Sequence, residues 1–377
     1  MASVNRRRKP HSKSRGGCLQ CKERHAKCNE VHPRCRQCDR ANIPCSFSSS
    51  SLTAVPLNED SLADLELLEH WHRHPIVGDH TNTARRLFSD FVRLGFSHHY
   101  VLNSILGLTA LHLYSEDKSQ SKWYARAVAH HQAAISRAKP HFQSLHETNS
   151  QALLGFSAFM SMYAVAEPFL RPSRVLALQT TKFDPLEELL RAYQFTRSAT
   201  AFVRQNFNPA TISQSWLLTT FEVRFRSELL DLETTFPRIR PLLACIERRS
   251  EGNLRAACFS AISQISRRIT ALLDRPDDPE MPKIIWSWGL EANQLFLDMC
   301  SARQPVALVT LAHFTILMSL HRDHWGLRGW PEGLLRHIKG LLGDEWECAV
   351  QWPCDVVFGS EVVSFGPAIG NRLVIEM

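Results

Sequence analysis

Six cysteines near the start of the chain carry the densest chemistry in the sequence. Cys18, Cys21, Cys28, Cys35, Cys38 and Cys45 follow one another with gaps of 2, 6, 6, 2 and 6, so one unit is used twice: CLQCKERHAKC from Cys18 and CRQCDRANIPC from Cys35. Two thiolates with two residues between them can grip one zinc ion without strain, and zinc takes four ligands in a tetrahedron. Six thiolates are too many for one tetrahedron and too few for two separate ones, but they complete two if a pair is shared. A binuclear zinc cluster is the economical arrangement. A mononuclear knuckle with two spare cysteines, or a set of free thiols or disulfides, leaves the doubled spacing without a reason.

The segment that must position these thiols has little else to fold on. Residues 15–47 hold few apolar side chains beyond Leu19, Val31, Ile43 and Phe47, so metal binding is expected to supply the folding free energy. The 11 cysteines of the 377-residue chain are far below the density of a disulfide scaffold, and no secretory signal opens the sequence, which favours a reducing compartment.

Charge is concentrated in the same place. Residues 1–47 contain 12 Lys or Arg against 3 Asp or Glu, while the rest of the chain contains 32 against 34, within an overall charge of +7. A short basic block beside a nearly neutral bulk is the footprint of a nucleic-acid-binding appendage. A membrane-surface arm lacks an apolar partner face here. The most apolar run, Ala152–Ala166, is too short to cross a bilayer and has Ser157 and Ser161 inside it. It reads as a buried core helix, and no membrane partner is expected.

With these residues in view, the stretch KSRGGCLQCKERHAKCNEVHPRCRQCDRANIPC resembles the fungal binuclear zinc-cluster DNA-binding domain. The resemblance implies two Zn²⁺ ions. It also implies that Cys18 and Cys35 bridge them, one zinc holding Cys18, Cys21, Cys28 and Cys35 and the other Cys18, Cys35, Cys38 and Cys45. Pro33 stands where the family turns the loop between the two units. Between Cys21 and Cys28 lie Lys22, Glu23, Arg24, His25, Ala26 and Lys27, whereas the second unit offers only Arg40 against Asp39. The first helix is therefore the one expected to face DNA. Six thiolates and two zinc ions lower the segment's charge to about +7, ample for phosphate contact.

Family members set the end of this helix in the major groove over a CGG triplet. Carried over by position, Arg24 and His25 reach toward base edges, while Lys22 and Lys27 contact the backbone; Arg15, following the basic arm, is a further DNA-binding candidate. Many relatives have Lys or Arg where this chain has His25, and a neutral imidazole offers one donor and one acceptor instead of a charged donor. The run Arg6, Arg7, Arg8 and Lys9 reads as a nuclear localisation signal, a phosphate-contacting arm, or both.

The domain organisation expected is a basic arm at 1–14, the zinc cluster at 15–47, a Ser-rich flexible linker at 48–60 and an all-helical regulatory domain at 61–377. The fold class is thus a small zinc-stabilised binuclear cluster of two short helix-loop units followed by a large all-α domain. Helical spacing places elements near 62–73, 82–94, 100–115, 121–138, 150–166, 185–205, 212–233, 253–274, 285–300, 304–322 and 331–342. On the clearest of them, Tyr124, Ala127, Val128, His131, Ile135 and Ala138 make one face. A short tail near 362–375 is the one stretch with strand character.

This larger region resembles the effector region of sterol-uptake-control-like fungal regulators in DLELLEHW at Asp64–Trp71, HHYVLNSILGLTALHLYS at His98–Ser115, and the block Ala307–Trp346. That implies an all-helical regulatory domain, which in some relatives binds a sterol. No G-x-S-x-G, Walker loop or H-E-x-x-H motif is present, so an enzyme is not expected. Cys245, Cys258, Cys300, Cys348 and Cys354 read as small buried hydrophobes. His70 and His74 stand one helical turn apart without an evident third ligand, and read as a solvated or interface face. The acidic and aromatic stretch Gly343–Glu361 reads as an ordered, amphipathic end of the core.

The expected function is a nuclear, sequence-specific transcription factor of RNA polymerase II genes, regulating a metabolic or secondary-metabolite pathway. Its partners are double-stranded DNA and the transcription machinery or co-regulators. The alternative is a receptor whose helical domain takes a small apolar ligand such as a sterol. A homodimer stays open, because no heptad run follows the linker to specify one.

Overall fold

The computed structural model describes residues 16–47, 58–74, 76, 82–143, 149–178, 182–206, 233, 236–274 and 281–359. Every regular element among the described residues is helical. The chain divides into two compact units, residues 1–65 and 66–377.

The smaller unit holds two five-residue helices, α1 (Leu19–Glu23) and α2 (Arg36–Arg40). Its interior is made of thiols: Cys18, Cys21, Cys28, Cys35 and Cys38 are buried, and Ile43, Cys45 and Phe47 pack on them. The helix α3 spans Glu59–Arg73.

In the larger unit, α4 (Asn82–Ser97), α6 (Ser121–Ala138) and α7 (Ser150–Ala166) surround α5 (His99–Glu116). Both α5 and α7 are apolar on nearly every side, with 13 and 14 buried residues respectively, as befits helices enclosed by others. The face that α6 presents keeps Tyr124, Ala127 and Ala138 of the expected one but leaves Ile135 out. Trp123, Tyr124, Ala127, Ala134 and Ala138 are buried, and Ile135 is 47% exposed. Close approach is the reason: a Cβ on Gly107 of α5 would lie 3.3 Å from the Ala127 carbonyl oxygen, so small residues, not the branched Ile135, meet α5.

Then follow α8 (Ser173–Leu178) and α9 (Pro185–Asn206), which packs on α7. The remainder folds as α10 (Arg240–Arg249), α11 (Gly252–Asp274), α12 (Met281–Glu291), α13 (Gln294–Ser301), α14 (Pro305–Ala312), α15 (Phe314–Ser319), α16 (Trp330–Leu341) and α17 (Glu347–Phe358). Their core includes Trp288, Phe296, Phe314 and Trp330, all at 0% exposure. The Trp330 indole N–H donates to the Val165 carbonyl at 2.9 Å, joining the late helices to α7.

Two expected helices are broken. The stretch 285–300 is interrupted where the Asn293 side chain accepts from the Leu295 N–H and starts a new helix, the usual use of Asn at an N-cap. The stretch 304–322 breaks at His313. The helix α13 and the α14–α15 stretch stand at 108°. No single described helix is long and apolar enough to cross a membrane. The acidic stretch 343–361 contains α17, which buries Trp352, Val356 and Val357. Expectations for 212–233 fall outside the described residues apart from Glu233, and those for 362–375 fall wholly outside.

Candidate metal centre and nucleic-acid interface

The sequence repeat is also a repeat of local structure. In the first unit α1 ends with His25 in the left-handed region (φ 52°), and in the second α2 ends with Asn42 in the same region (φ 49°). The His25 N–H bonds to the Lys22 carbonyl at 3.2 Å and the Ala26 N–H to that of Cys21 at 2.9 Å; the counterparts are Asn42 to Asp39 and Ile43 to Cys38, both 3.1 Å. These are the paired bonds of a Schellman cap, which closes a helix with one left-handed residue. Asn and His tolerate that conformation better than most non-glycine residues. Sequence reasoning assigns His25 a purely chemical role and misses this conformational one, although His25 and Asn42 hold the same place in the two units.

The caps turn the chain so that the third cysteine of each unit comes back on the first. The Cys18 N–H lies 3.5 Å from the Cys28 sulfur, and the Cys35 N–H lies 3.2 Å from that of Cys45. Other bonds close the unit. The Leu19 N–H donates to the Ser46 carbonyl at 2.8 Å, the Ser46 N–H to Gln20 Oε1 at 2.8 Å, and the Gly16 N–H to Glu30 Oε1 at 3.1 Å. The loop between units runs through a cis His32–Pro33 peptide.

Six sulfurs converge as a result. Cys18, Cys21, Cys28 and Cys35 form one group and Cys18, Cys35, Cys38 and Cys45 another, each with all its sulfurs within 4.8 Å of one another. Cys18 and Cys35 belong to both. Sulfur–sulfur separations include 3.5 Å (Cys18–Cys38), 3.6 Å (Cys21–Cys35), 3.7 Å (Cys18–Cys35) and 4.0 Å (Cys21–Cys38). Zinc–sulfur bonds of about 2.3 Å give a tetrahedron an edge of about 3.8 Å, so the donor set fits two zinc ions sharing two thiolates.

Electrostatics explains why such a cluster needs cations. Burial, reinforced by the neighbouring Cys18 and Cys35 thiols, pushes Cys21 up to about 12. Burial also raises Cys35, but the Cys38 N–H and the surrounding thiols outweigh it and hold the group down at about 6. Burial thus opposes the ionisation of Cys21 and Cys38, and six thiolates together require compensating positive charge.

Outside the cage, Lys22, Arg24, His25 and Lys27 are exposed, with Lys22 in the last turn of α1, Arg24 at its C-cap and His25 just beyond. The exposed Glu23 interrupts the run. Arg15, Arg6, Arg7, Arg8 and Lys9 lie outside the described residues.

In the helical unit the scattered cysteines differ among themselves: Cys258 and Cys300 are buried, Cys245 and Cys354 are half-buried, and Cys348 is exposed. An open cleft of about 360 Å³ is lined by Arg249, Ser250, Leu254, Met299, Gln304, Pro305, Val306 and Trp346. The expectation of a solvated or interface face at His70 and His74 is corrected for solvation at His70 alone, since His74 is exposed. His70 is buried, with Nε2 2.9 Å from Nδ1 of His112.

Comparison with known proteins agrees with the cysteine geometry. Residues 16–54 match the Fungal Zn(2)-Cys(6) binuclear cluster domain. A Zn(2)-C6 fungal-type transcription factor, afumD, from Aspergillus fumigatus is 32% identical over 124 residues, covering 27% of this chain and 33% of the relative. Another Zn(2)-C6 fungal-type transcription factor, from Gibberella zeae, is 55% identical over 42 residues, covering 11% and 8%. Sterol uptake control protein 2 of Candida albicans is 35% identical over 60 residues, covering 16% and 8%. The chain therefore spans at most a third of the length of these relatives. Its N-terminal segment is a binuclear zinc-cluster domain of the fungal Zn(2)-Cys(6) type, and its six clustered cysteines hold two zinc ions.

Proposed function

We propose that this chain is a zinc-dependent, sequence-specific DNA-binding regulator of transcription, and not an enzyme. The observation that carries the reading is the exposed basic run Lys22, Arg24, His25 and Lys27 at the C-terminal end of α1, held on a cage of two interleaved four-cysteine groups. The relatives' names, each a transcription factor or a control protein, support it.

In this reading Cys18 and Cys35 bridge the two ions. Arg24 and His25 meet base edges of a CGG-like triplet in the major groove, and Lys22, Lys27 and Arg15 neutralise phosphates. Arg6, Arg7, Arg8 and Lys9 direct the chain to the nucleus. A basic arm at 1–14 and a tether at 48–60 flank the DNA-binding segment 15–47, and residues 61–377 receive or transmit regulation through co-regulators. A pathway-specific role in metabolism or secondary metabolism accords with the relatives. A receptor for a sterol-like ligand is less well supported, because the cleft near Trp346 is lined in part by Arg249, Ser250 and Gln304.

Selection from a random DNA pool by the purified chain, with and without a strong zinc chelator, tests the proposal. Enrichment of CGG-type triplets that disappears with chelator is the expected result, and one triplet or a spaced pair distinguishes monomer from dimer. No enrichment by the zinc-loaded protein overturns it. Five or six phosphate contacts correspond to a salt slope of about −5; Lys22→Ala lowers it by about one unit without altering sequence preference. Arg24→Ala relaxes preference at the triplet. Unchanged preference in Arg24→Ala sinks the assignment of base contact.

A further inference from the structure

The helical unit brings together a second set of metal-binding groups, unlike the first in chemistry. His70 lies on α3, and His112 and Glu116 lie one helical turn apart on α5. The His70 Nε2 and His112 Nδ1 atoms are 2.9 Å apart, and the Glu116 Oε2 atom is 4.0 Å from His70 Nε2. One ligand atom from each of the three falls within 4.8 Å of the others. Sequence spacing reveals only the pair His70 and His74, because His112 and Glu116 are remote along the chain and come within reach of His70 only through their side chains in the folded chain.

We propose that His70, His112 and Glu116 form a binding site for one divalent transition-metal ion, separate from the cysteine cluster. Two imidazoles and a carboxylate are a zinc-type donor set that leaves a fourth position for water or another ligand. Both rings are buried, at 6% and 8% exposure. A neutral imidazole nitrogen carries the lone pair that such an ion takes. Glu116, with its side chain half-exposed, gives the ion both a counter-charge and a way in from solvent.

The surroundings stiffen this arrangement. His74 stacks on His70 at 4.0 Å between ring centroids, and its Nδ1 is 3.2 Å from the His70 carbonyl, to which it donates. Trp325 meets the His112 ring edge-on at 5.1 Å. Arg328 is the nearby opposing charge, and its guanidinium is turned to the Ser115 carbonyl, to which it donates at 3.3 Å. An ion here ties α3 to α5, so occupancy makes the position of His70 and its helix depend on metal availability. The inference rests on the helical unit alone and is independent of DNA binding.

Zinc content of the full-length protein, equilibrated at buffered micromolar free zinc and then measured by elemental analysis, tests it. Three ions per chain are expected in the wild type and two in Glu116→Gln and His112→Gln, with affinity for the third ion weakened at least about tenfold. Two ions in the wild type, or three in both variants, overturn the proposal. Glu116→Gln keeps the size and half-exposed setting of the side chain, so it remains informative if His112→Gln does not fold. Cobalt added to protein already carrying zinc in the cysteine cluster gives an independent readout. Weak ligand-field absorption without a thiolate charge-transfer band is expected, absent in Glu116→Gln; no new absorption, or absorption persisting in the variant, contradicts the site.

Discussion

The two units of this chain reach a defined structure by different physical routes. Residues 16–47 have thiols where a domain would have a hydrophobic core, whereas the helical unit encloses Trp288, Phe296, Phe314 and Trp330 away from solvent. In the first, the ligand geometry of an ion selects the fold from residues that would otherwise stay unfolded. In the second, the burial of apolar surface does so, spread over many side chains. Metal removal and core substitution should therefore act on opposite halves of the molecule.

The largest expected effect is that of Cys35→Ser or of chelation. Cys35 belongs to both cysteine groups, and structural zinc contributes about 10–16 kcal/mol in small zinc domains. Amide resonance dispersion should collapse for residues 16–47 while the helical unit melts as before; a retained zinc-cluster fold would break the comparison. Trp330→Ala is the converse. Its ring is fully buried and bonded to the Val165 carbonyl at 2.9 Å, so a loss of about 3–5 kcal/mol from the helical unit is expected in denaturant melts, with zinc content unchanged.

A smaller effect comes from His313, which is buried and held down at about 4 by desolvation. Its folded-state value lies below the unfolded value of about 6.5, so the unfolded chain takes up the proton first as pH falls. His313 should account for about 1.4 kcal/mol of the stability lost per pH unit below about 6.5, its share levelling off near pH 4, beside His70, His112 and His324, which burial also holds down. His313→Asn should lower the slope by about that amount in melts at matched pH values, and an unaltered slope would assign the acid sensitivity to the other buried histidines.

The smallest expected effect probes the helix caps. His25→Gly should preserve zinc affinity, while His25→Val should weaken the small unit by about 1–2 kcal/mol, because a branched residue resists positive φ. Competition with a chelator reads both. Equal affinities would show that the metal, not the caps, fixes the local backbone.

Legibility follows the same division. Cysteine spacing is local, so the doubled Cys-x-x-Cys unit exposes the cluster and its two ions directly. Helix periodicity identifies Ser150–Ala166 and Ser121–Ala138, yet it puts Ile135 on the buried face and misses Arg240–Arg249. Periodicity records which residues are apolar; which of them touch depends on how closely helices approach, as at Gly107 and Ala127. The break at His313 is hidden for a similar reason, since 304–322 is largely apolar and carries no helix-stopping residue at the bend.

What the sequence determined by itself was the metal, its ligands and the basic surface beside them. Each depends on residues a few positions apart, whose chemistry and spacing survive without the rest of the chain. Tertiary structure alone decided that His70 would meet His112 and Glu116, and that Trp330 would lie beneath α7. Those contacts join positions separated by 42 to 165 residues, and only the packing of whole helices brings such positions within bonding distance.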